Sequence, residues 1–231
     1  MDLLDFSLEY EGAWLFQNFN LQLSPGSFNC LMGPSGVGKS TLLRALAGID
    51  QPKKLIKPVA YLSQFPALLP WASVLSNALL PEKLLGIITP ELVLEAKNLL
   101  IQLGLEKVLN SRPDVLSGGM AQRVALVRTL LQHREIVLLD EPFAGLDALL
   151  KIELQNLFKQ CLKNKTVLMV THDPLEALQL ADRIIVIKDF PVKIRLDLDL
   201  AGSNKIGVHP IRKLNENLLK IQEEILSVLA T

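Results

Sequence analysis

A glycine-rich segment in the first quarter of the chain has the residues needed to bind the phosphates of a nucleotide. It fits the pattern GxxxxGK(S/T), and it lies between a short apolar run and a run with helical spacing, which is the context this pattern requires. Glycines let the backbone curve so that successive N–H groups point at one phosphate, and the following helix contributes its positive end. The predicted phosphate-binding residues are Gly33, Pro34, Ser35, Gly36, Val37, Gly38, Lys39, Ser40 and Thr41.

The last three residues of this phosphate loop carry different parts of the chemistry. Lys39 places a positive charge on the β- and γ-phosphates, and the Ser40 hydroxyl is positioned to coordinate Mg²⁺. Thr41 adds a contact to the α-phosphate. The alternative is a chance glycine-rich turn. Such a turn would need neither Lys39 and Ser40 nor a strand before it and a helix after it.

Two adjacent acids at the end of an apolar run indicate a metal site and a general base. The run Ile136–Leu139 is typical of a buried strand, and Asp140 and Glu141 follow it directly. In open α/β sheets, ligands bind at the carboxyl edge of the strands. We expect Asp140 to hold Mg²⁺ through a water molecule and Glu141 to polarise the attacking water as general base. Taken alone, two acids could also simply cap a strand.

The composition indicates a protein with a large aliphatic core. Of the 231 residues, 49% are apolar and 5% aromatic, so the core is expected to be mostly Leu, Val, Ile and Ala. Basic and acidic residues balance at 24 each, so no overall field attracts nucleic acid or anionic lipid. Cys30 and Cys161 are far apart, without a CxxC pattern or a histidine cluster. We therefore expect two buried or half-buried thiols rather than a disulfide or a zinc site.

The sequence predicts neither a secretory signal nor a membrane-spanning helix. Residues 1–5 contain acids where a secretory signal needs basic residues. Asp and Glu interrupt the apolar runs before they approach the roughly 20 residues of a membrane helix. We expect the protein to be soluble and intracellular, so that action at a membrane requires docking on another protein.

Strand and helix patterns alternate along most of the chain, which predicts a parallel sheet covered on both faces. Antiparallel strands are expected first, over Asp5–Leu23, and a leucine-rich helical insertion over Pro70–Pro113. The individual predicted elements are strands Phe28–Met32, Val59–Ser63, Ile136–Leu139, Thr166–Val170 and Ile184–Ile187 and helices Thr41–Ala47, Val74–Leu80, Pro90–Leu103, Ser117–Leu131, Ala148–Leu162, Pro174–Leu180 and Leu214–Leu229.

The segment Leu116–Arg123, with the sequence LSGGMAQR, resembles the signature of the ATP-binding cassette (ABC) ATPases. Together with the phosphate loop and the acidic strand end, it extends this resemblance over almost the whole chain. In the family, the signature binds the γ-phosphate held by the other subunit. The resemblance implies that Ser117, Gly118 and Gly119 bind the partner's ATP in a head-to-tail homodimer with shared sites. Met120 departs from the Gln that is usual in the family.

Three more positions match the family in chain order. Gln64 matches the Gln that reaches Mg²⁺ and the attacking water and senses the transmembrane partner. Asp147 lies in a segment similar to the loop that communicates across the dimer. His172 matches the switch histidine that contacts the γ-phosphate, which implies a catalytic role beside Glu141. Alone, His172 would more often be a structural histidine.

The N-terminal part of the chain resembles the family in one feature and departs from it in another. Tyr10 lies where the family places an aromatic residue that stacks on adenine, with Trp14 and Phe16 as rival candidates. The segment 39–64 is short for the family, and its usual strand pair is trimmed to Gln51–Lys54. We expect a reduced edge of the β-subdomain without loss of a catalytic position.

The resemblance implies an α/β fold of the P-loop NTPase class in its ABC ATPase form. We expect one domain over residues 1–231, with a mainly parallel sheet core, an N-terminal antiparallel β-subdomain and an inserted helical subdomain. The core and β-subdomain are expected at 1–69 and 116–231, and the helical subdomain at 70–115. The implied cofactors are ATP and Mg²⁺, and the residues implied in metal binding are Ser40, Gln64 and Asp140.

Finer resemblance implies an importer. Phe65–Trp71 and Thr171–Ala177 look like the nitrate, sulfonate and taurine importer branch, which also includes importers of the thiamine pyrimidine precursor. The tail, with Pro191–Ile194 and a final helix, suits that branch. The implied partners are a second copy, integral membrane permease subunits and, indirectly, a periplasmic or lipid-anchored solute-binding protein, but no nucleic acid. The implied location is peripheral, on the cytoplasmic side of the inner membrane.

Three other classes remain open as alternatives. A non-transport or exporter-associated ABC ATPase would share the same motifs, although such proteins often carry two cassettes or extra basic segments. A nucleotide-binding scaffold without catalysis would commonly lack Glu141 or His172. A small GTPase or kinase would share the phosphate loop but not the segment Leu116–Gly119.

Overall fold

The computed structural model of the chain describes residues 1–10, 12–50, 58–200 and 211–230. The chain forms two compact units, Met1–Leu55 with Asn164–Thr231, and Ile56–Lys163. The second unit contains the predicted helical segment 70–115. The strands are β1 (Asp2–Tyr10), β2 (Ala13–Gln22), β3 (Phe28–Met32), β4 (Val59–Leu62), β5 (Ile136–Asp140), β6 (Thr166–Val170), β7 (Arg183–Lys188) and β8 (Lys193–Asp199). The α-helices are α1 (Lys39–Leu46), α2 (Val74–Ala78), α3 (Leu80–Leu84), α4 (Pro90–Gln102), α5 (Gly118–Leu130), α6 (Ala148–Cys161), α7 (Pro174–Leu180) and α8 (Ile211–Ala230).

The first unit begins with an antiparallel hairpin of β1 and β2, as predicted. Its inward face is aromatic: the ring centroid of Phe16 lies 5.3 Å from that of Phe6 and 5.2 Å from that of Phe19. The Phe6–Phe16 contact joins the two strands, and aromatic contacts of this kind stabilise a sheet beyond the area that they bury. Glu11, in the predicted turn, and Gln51–Lys54, in the predicted trimmed edge, lie outside the described residues.

The main sheet of the first unit has β3 at its centre. β3 pairs in parallel with β6 on one side and with β7 on the other. All residues of β3 and β6 are buried, which is typical of parallel strands covered on both faces. Burial raises the pKa of the Cys30 thiol on β3, and the nearby carboxylates of Glu176 and Asp182 raise it further. Cys30 is therefore an inert thiol of the core, whereas Cys161 is exposed rather than buried or half-buried as predicted.

An edge strand in the C-terminal tail was not predicted. β8 pairs antiparallel with β7 and begins at Lys193, within the segment Pro191–Ile194 that the sequence patterns assign to a tail. Its residues alternate between exposed and half-buried, because charged and aliphatic residues alternate along it. Arg183 of β7 donates hydrogen bonds to both carboxylate oxygens of Asp197, at 2.7 and 2.6 Å, and this pairing lowers the pKa of Asp197. α8 packs against α7, β7 and β8.

The second unit contains the parallel pair β4 and β5 and most of the helices. α5 is its centre and contacts α2, α4 and β4. The prediction of one helix over Val74–Leu80 is wrong, because α2 ends at Ala78 and α3 begins at Leu80. Leu79 leaves helical geometry at φ −89° and ψ 3°, and Pro81 lacks the N–H that a continuous helix would need. In the parts of the chain that the structure describes, no helix combines the length and apolarity needed to cross a membrane.

In the second unit, two side chains hold the segment 66–73, which follows Gln64 and is called the strap below. The fully buried Asn77 side chain accepts from the backbone N–H of Leu69 at 2.7 Å and donates to the Leu69 carbonyl at 3.1 Å. Its amide also donates to the carbonyls of Ala72 and Ser73. The guanidinium of Arg128 donates to two further carbonyls, of Pro66 at 2.5 Å and of Ala67 at 3.0 Å. This strap therefore has its backbone polar groups bonded at both ends.

Asn77→Ala is expected to lower the free energy of unfolding by about 3 kcal/mol, because it removes four hydrogen bonds of a fully buried side chain, including the one that the Leu69 N–H donates. Urea denaturation followed by circular dichroism measures this change. Asn98→Ala, at an exposed position of α4, is the matched control and should change stability by less than about 0.5 kcal/mol. Equal stability of the two variants would contradict the structural role of Asn77.

Candidate functional site

The phosphate loop connects β3 to α1, as predicted. Its first residue must be glycine, because a Cβ at Gly33 would lie 2.5 Å from the carbonyl oxygen of Ile187. Its last glycine, Gly38, is the N-cap of α1 with φ 104°, a backbone conformation that other residues rarely adopt. The loop therefore has its curved shape from backbone positions that only glycine occupies without strain.

The Lys39 ammonium group is held against this loop. Lys39 is the first residue of α1 and is 7% exposed. Its Nζ donates to the carbonyl oxygens of Gly33 and Pro34, both at 2.8 Å. Ser40 and Thr41 follow in the first turn of α1, where backbone N–H groups have no partner within the helix, and both are half-buried. A fixed cation, a helix N-terminus and two hydroxyls thus lie within one short segment.

The first unit also contains His172 and Tyr10. β3 and β6 are neighbours with Leu31 opposite Val170, so the phosphate loop and the turn with His172 leave the sheet at the same edge. Tyr10 ends β1 and is 64% exposed. Trp14 is 46% exposed, whereas its rival Phe16 is fully buried in the hairpin core.

In the second unit, the acidic pair lies at the carboxyl edge of β5. Asp140 is the last residue of the strand and is 2% exposed. Glu141 follows with φ 47°, a left-handed conformation that costs on the order of 1 kcal/mol or more for a residue with a side chain. Leu62 of β4 pairs with Leu139 of β5, so Gln64 and the acids leave the sheet at the same edge. The strain at Glu141 persists only if the surrounding structure imposes it, and strain imposed in this way is common at functional sites.

The signature starts α5 as predicted. The Ser117 hydroxyl is the N-cap and accepts from the backbone N–H of Met120 at 3.2 Å. Gly118 has open space around it, since a Cβ there would meet nothing within 4 Å. A Cβ at Gly119 would lie 3.5 Å from the Leu146 side chain, so the signature lies beside the loop that ends at Asp147.

Asp147 is the N-cap of α6, where its Oδ1 accepts from the backbone N–H of Leu150 at 3.0 Å.

Arg123, which the sequence patterns did not single out, connects the signature helix to the end of α4. Its guanidinium donates to the carbonyls of Gly119 at 3.2 Å and of Leu103 at 2.6 Å. Burial lowers the pKa of Arg123, and nearby Asp147 partly restores it. The sequence could have indicated this role of Arg123, because Arg123 lies one helical turn after Gly119 on the same helix.

The residues present fit a triphosphate with Mg²⁺. The Lys39 ammonium group and the backbone N–H groups at the start of α1 are donors of the kinds that bind phosphate oxygens. Oxygen groups of the kind that Mg²⁺ prefers are present in each unit taken by itself: the Ser40 hydroxyl in the first, and the Gln64 side chain and the Asp140 carboxylate in the second.

Comparison with known proteins assigns the family. A model of the family described as ABC transporter matches residues 16–144. An uncharacterised ABC transporter ATP-binding protein of Haemophilus influenzae is 45% identical over 80% of this chain and 80% of its own length. The aliphatic sulfonates import ATP-binding protein SsuB 2 of Pseudomonas syringae pv. syringae is 40% identical over 89% of this chain and 75% of its own length. SsuB of Delftia acidovorans is 38% identical over 93% and 90%.

Solved structures agree with these sequence matches. A dimeric bacterial ABC transporter cassette superposes with a TM-score of 0.76 at 29% identity, over 86% of this chain and 98% of its own. A post-hydrolysis dimer of such a cassette, bound to ADP and phosphate, gives a TM-score of 0.75 at 28% identity, over the same shares. The predicted fold class is confirmed. The chain thus belongs to the ABC transporter family, as an ATP-binding subunit that binds ATP with Mg²⁺ and hydrolyses it.

Proposed function

We propose that the chain is the ATPase subunit of an ABC importer and works as a head-to-tail homodimer on integral membrane permease subunits. Support for import comes from relatives named as sulfonate importers, which match at 40% and 38% identity over most of this chain. The cargo is proposed to be a small solute of the sulfonate, taurine or nitrate kind, or a thiamine pyrimidine precursor. In this arrangement the protein is peripheral, on the cytoplasmic side of the inner membrane, and a solute-binding protein takes part indirectly.

The observation that carries the homodimer is the open backbone at Gly118. This glycine has no left-handed φ, and a Cβ added to it would meet no atom within 4 Å, so packing among the residues that the structure describes does not require glycine there. The Ser117 cap leaves the helix N-terminus exposed as an anion-binding surface. A glycine at this position is explained if another molecule's phosphate approaches its bare backbone. Dimers of related cassettes support a second copy as the source of that phosphate.

Within each proposed site, the first unit supplies phosphate binding. The phosphate loop and Lys39 bind the β- and γ-phosphates, Thr41 contacts the α-phosphate, and Tyr10 stacks on adenine. His172 contacts the γ-phosphate and stabilises the charge that develops there. The Mg²⁺ ion neutralises phosphate charge when bound.

The second unit supplies two of the three proposed Mg²⁺ contacts, the base and the contacts to the partner. Its Gln64 and Asp140 are the proposed Mg²⁺ contacts beside Ser40 of the phosphate loop, and Glu141 takes the proton of the attacking water. Ser117, Gly118 and Gly119 bind the partner's γ-phosphate, and Asp147 communicates across the dimer. The proposed helical subdomain is 70–115, and its movement when the dimer closes around ATP would be transmitted to the permease.

The permease is proposed to dock beside Gln64, on the strap. Phe65 and Trp71 are 76% and 71% exposed, although the backbone between them is held by Asn77 and Arg128. Exposed aromatic residues on a fixed backbone bind a partner at low entropic cost.

The observation that discriminates between an importer and a non-transport ABC ATPase is whether neighbouring genes encode a permease and a solute-binding protein.

ATPase activity of the purified protein with Mg²⁺, measured against protein concentration, tests the shared sites. The rate per chain should rise with concentration until the dimer is saturated, because one chain alone lacks half of each site. A constant rate per chain down to nanomolar protein would contradict shared sites. If activity is absent throughout, Met120→Gln separates an impaired signature, which this change restores, from a requirement for the permease.

A further inference from the structure

We propose that Glu176 is a positioning residue for hydrolysis: through Thr171 it fixes the turn that carries His172. This inference rests on the proposed role of His172 at the γ-phosphate. It assigns a function to a buried acid on α7 that the reaction itself does not use.

The turn between β6 and α7 has a hydrogen bond on each side of His172. Thr171 is 1% exposed, and its hydroxyl donates to Oε2 of Glu176 through a short contact. The same hydroxyl accepts from the backbone N–H of Asp173 at 3.1 Å. The Thr171 hydroxyl therefore bridges from the residue before His172 to the residue after it, and Glu176 sets the direction of that hydroxyl.

The two residues beside His172 are also tied to the elements on either side. The backbone N–H of Thr171 donates to the carbonyl of Leu31 on β3 at 3.3 Å. Asp173 is the N-cap of α7 and accepts from the backbone N–H of Leu175 at 2.9 Å. His172 itself is exposed, so burial of its ring contributes little to its position and the backbone that carries it contributes more.

A purely structural role would not favour a carboxylate at this position. Glu176 is 6% exposed, and burying an acid costs free energy that an apolar residue of similar size avoids. A carboxylate does provide a hydrogen bond roughly twice as strong as a neutral one, which orients its donor firmly. Orientation of the Thr171 hydroxyl, and with it the turn, is what the acid provides here.

Losing this bond should slow hydrolysis with little effect on ATP binding. Glu176→Leu and Thr171→Val keep the size of the side chain and remove the bond, and each should lower kcat about tenfold with KM for ATP within about twofold, because a small displacement of a catalytic group has an effect of this order. Thr171→Ser retains the donor and should recover most of kcat, whereas Glu176→Gln retains only a neutral acceptor and should recover part of it.

The test is steady-state ATPase kinetics of the full chain for these variants, His172→Ala and the double variant Glu176→Leu with His172→Ala. If Glu176 acts through His172, the double variant should be no slower than His172→Ala alone. Tenfold slower hydrolysis by the double variant than by His172→Ala would overturn the proposal, because Glu176 would then act independently of the histidine.

Two further outcomes separate this inference from the function on which it rests. Slow hydrolysis by His172→Ala with normal kcat in both Glu176→Leu and Thr171→Val would overturn the positioning role alone. Normal kcat in His172→Ala would overturn the proposed catalytic role of the histidine and the inference with it. Urea denaturation of each variant identifies any that fails to fold, and Thr171→Val then decides in place of Glu176→Leu.

Discussion

Glu141→Gln is expected to bind ATP as tightly as the unaltered chain and to hydrolyse it at least about 100-fold more slowly, because a general base contributes roughly 10²–10⁴-fold. The amide has nearly the shape of the carboxylate but cannot accept the proton of the attacking water. Glu141 lies directly after Asp140 in a strained left-handed conformation, so the surroundings impose its backbone position and the substitution leaves that position intact.

Because hydrolysis reopens the proposed dimer, the same variant should accumulate as a dimer when ATP and Mg²⁺ are present. Single-turnover hydrolysis, ATP binding by calorimetry and sedimentation with and without ATP measure the three parts of this prediction. Glu153→Gln, at an exposed position of α6, is the matched control and should behave as the unaltered chain does. Normal turnover in Glu141→Gln would refute the assignment of the base.

Lys39→Ala is expected to weaken ATP binding by about 10- to 100-fold, because hydrogen bonds to charged groups contribute roughly 1.5–3 kcal/mol. The ammonium group is the cation that the structure holds against the loop, bonded to the carbonyls of Gly33 and Pro34. Removing it takes away both the charge that attracts the phosphates and two bonds that close the loop.

Lys39→Met separates these effects from loss of packing, because methionine keeps most of the aliphatic stem without the ammonium group. It should bind ATP as weakly as Lys39→Ala does. Lys97→Ala, at an exposed position of α4, removes a lysine elsewhere and should leave affinity unchanged. Calorimetric titration with ATP and Mg²⁺ gives the affinities, and unchanged affinity in Lys39→Ala would overturn the role of the phosphate loop.

Local chemistry is where sequence and structure agree best. The phosphate loop, the Ser117 cap and the start of α7 at Pro174 are all where the patterns predicted them. In each case the residues that specify the conformation are neighbours in the chain: glycines that allow positive φ, hydroxyls that cap a helix, and a proline at a helix start.

The sequence predictions failed where the interaction that decides the structure is weak or comes from a residue distant in the chain. β8 was missed because an edge strand with charged residues on one face resembles a polar tail until its partner β7 is known. The helix over 74–80 was predicted as continuous because its apolar spacing runs on, although Pro81 and the geometry of Leu79 divide it. The choice between Tyr10 and Phe16 could not be made from residue type, and burial of Phe16 removed that rival.

The sequence by itself determined the class of chemistry, the family and the order of the elements apart from β8 and the division of α2 from α3, because these depend on motifs of adjacent residues and on apolar periodicity. Only the tertiary structure decided which polar side chains hold the functional segments. Asn77 and Arg128 bind the strap after Gln64, and Glu176 orients the turn with His172. These side chains act on backbone groups or hydroxyls that folding brings beside them, and no spacing in the chain marks such a partner before the strands and helices have packed.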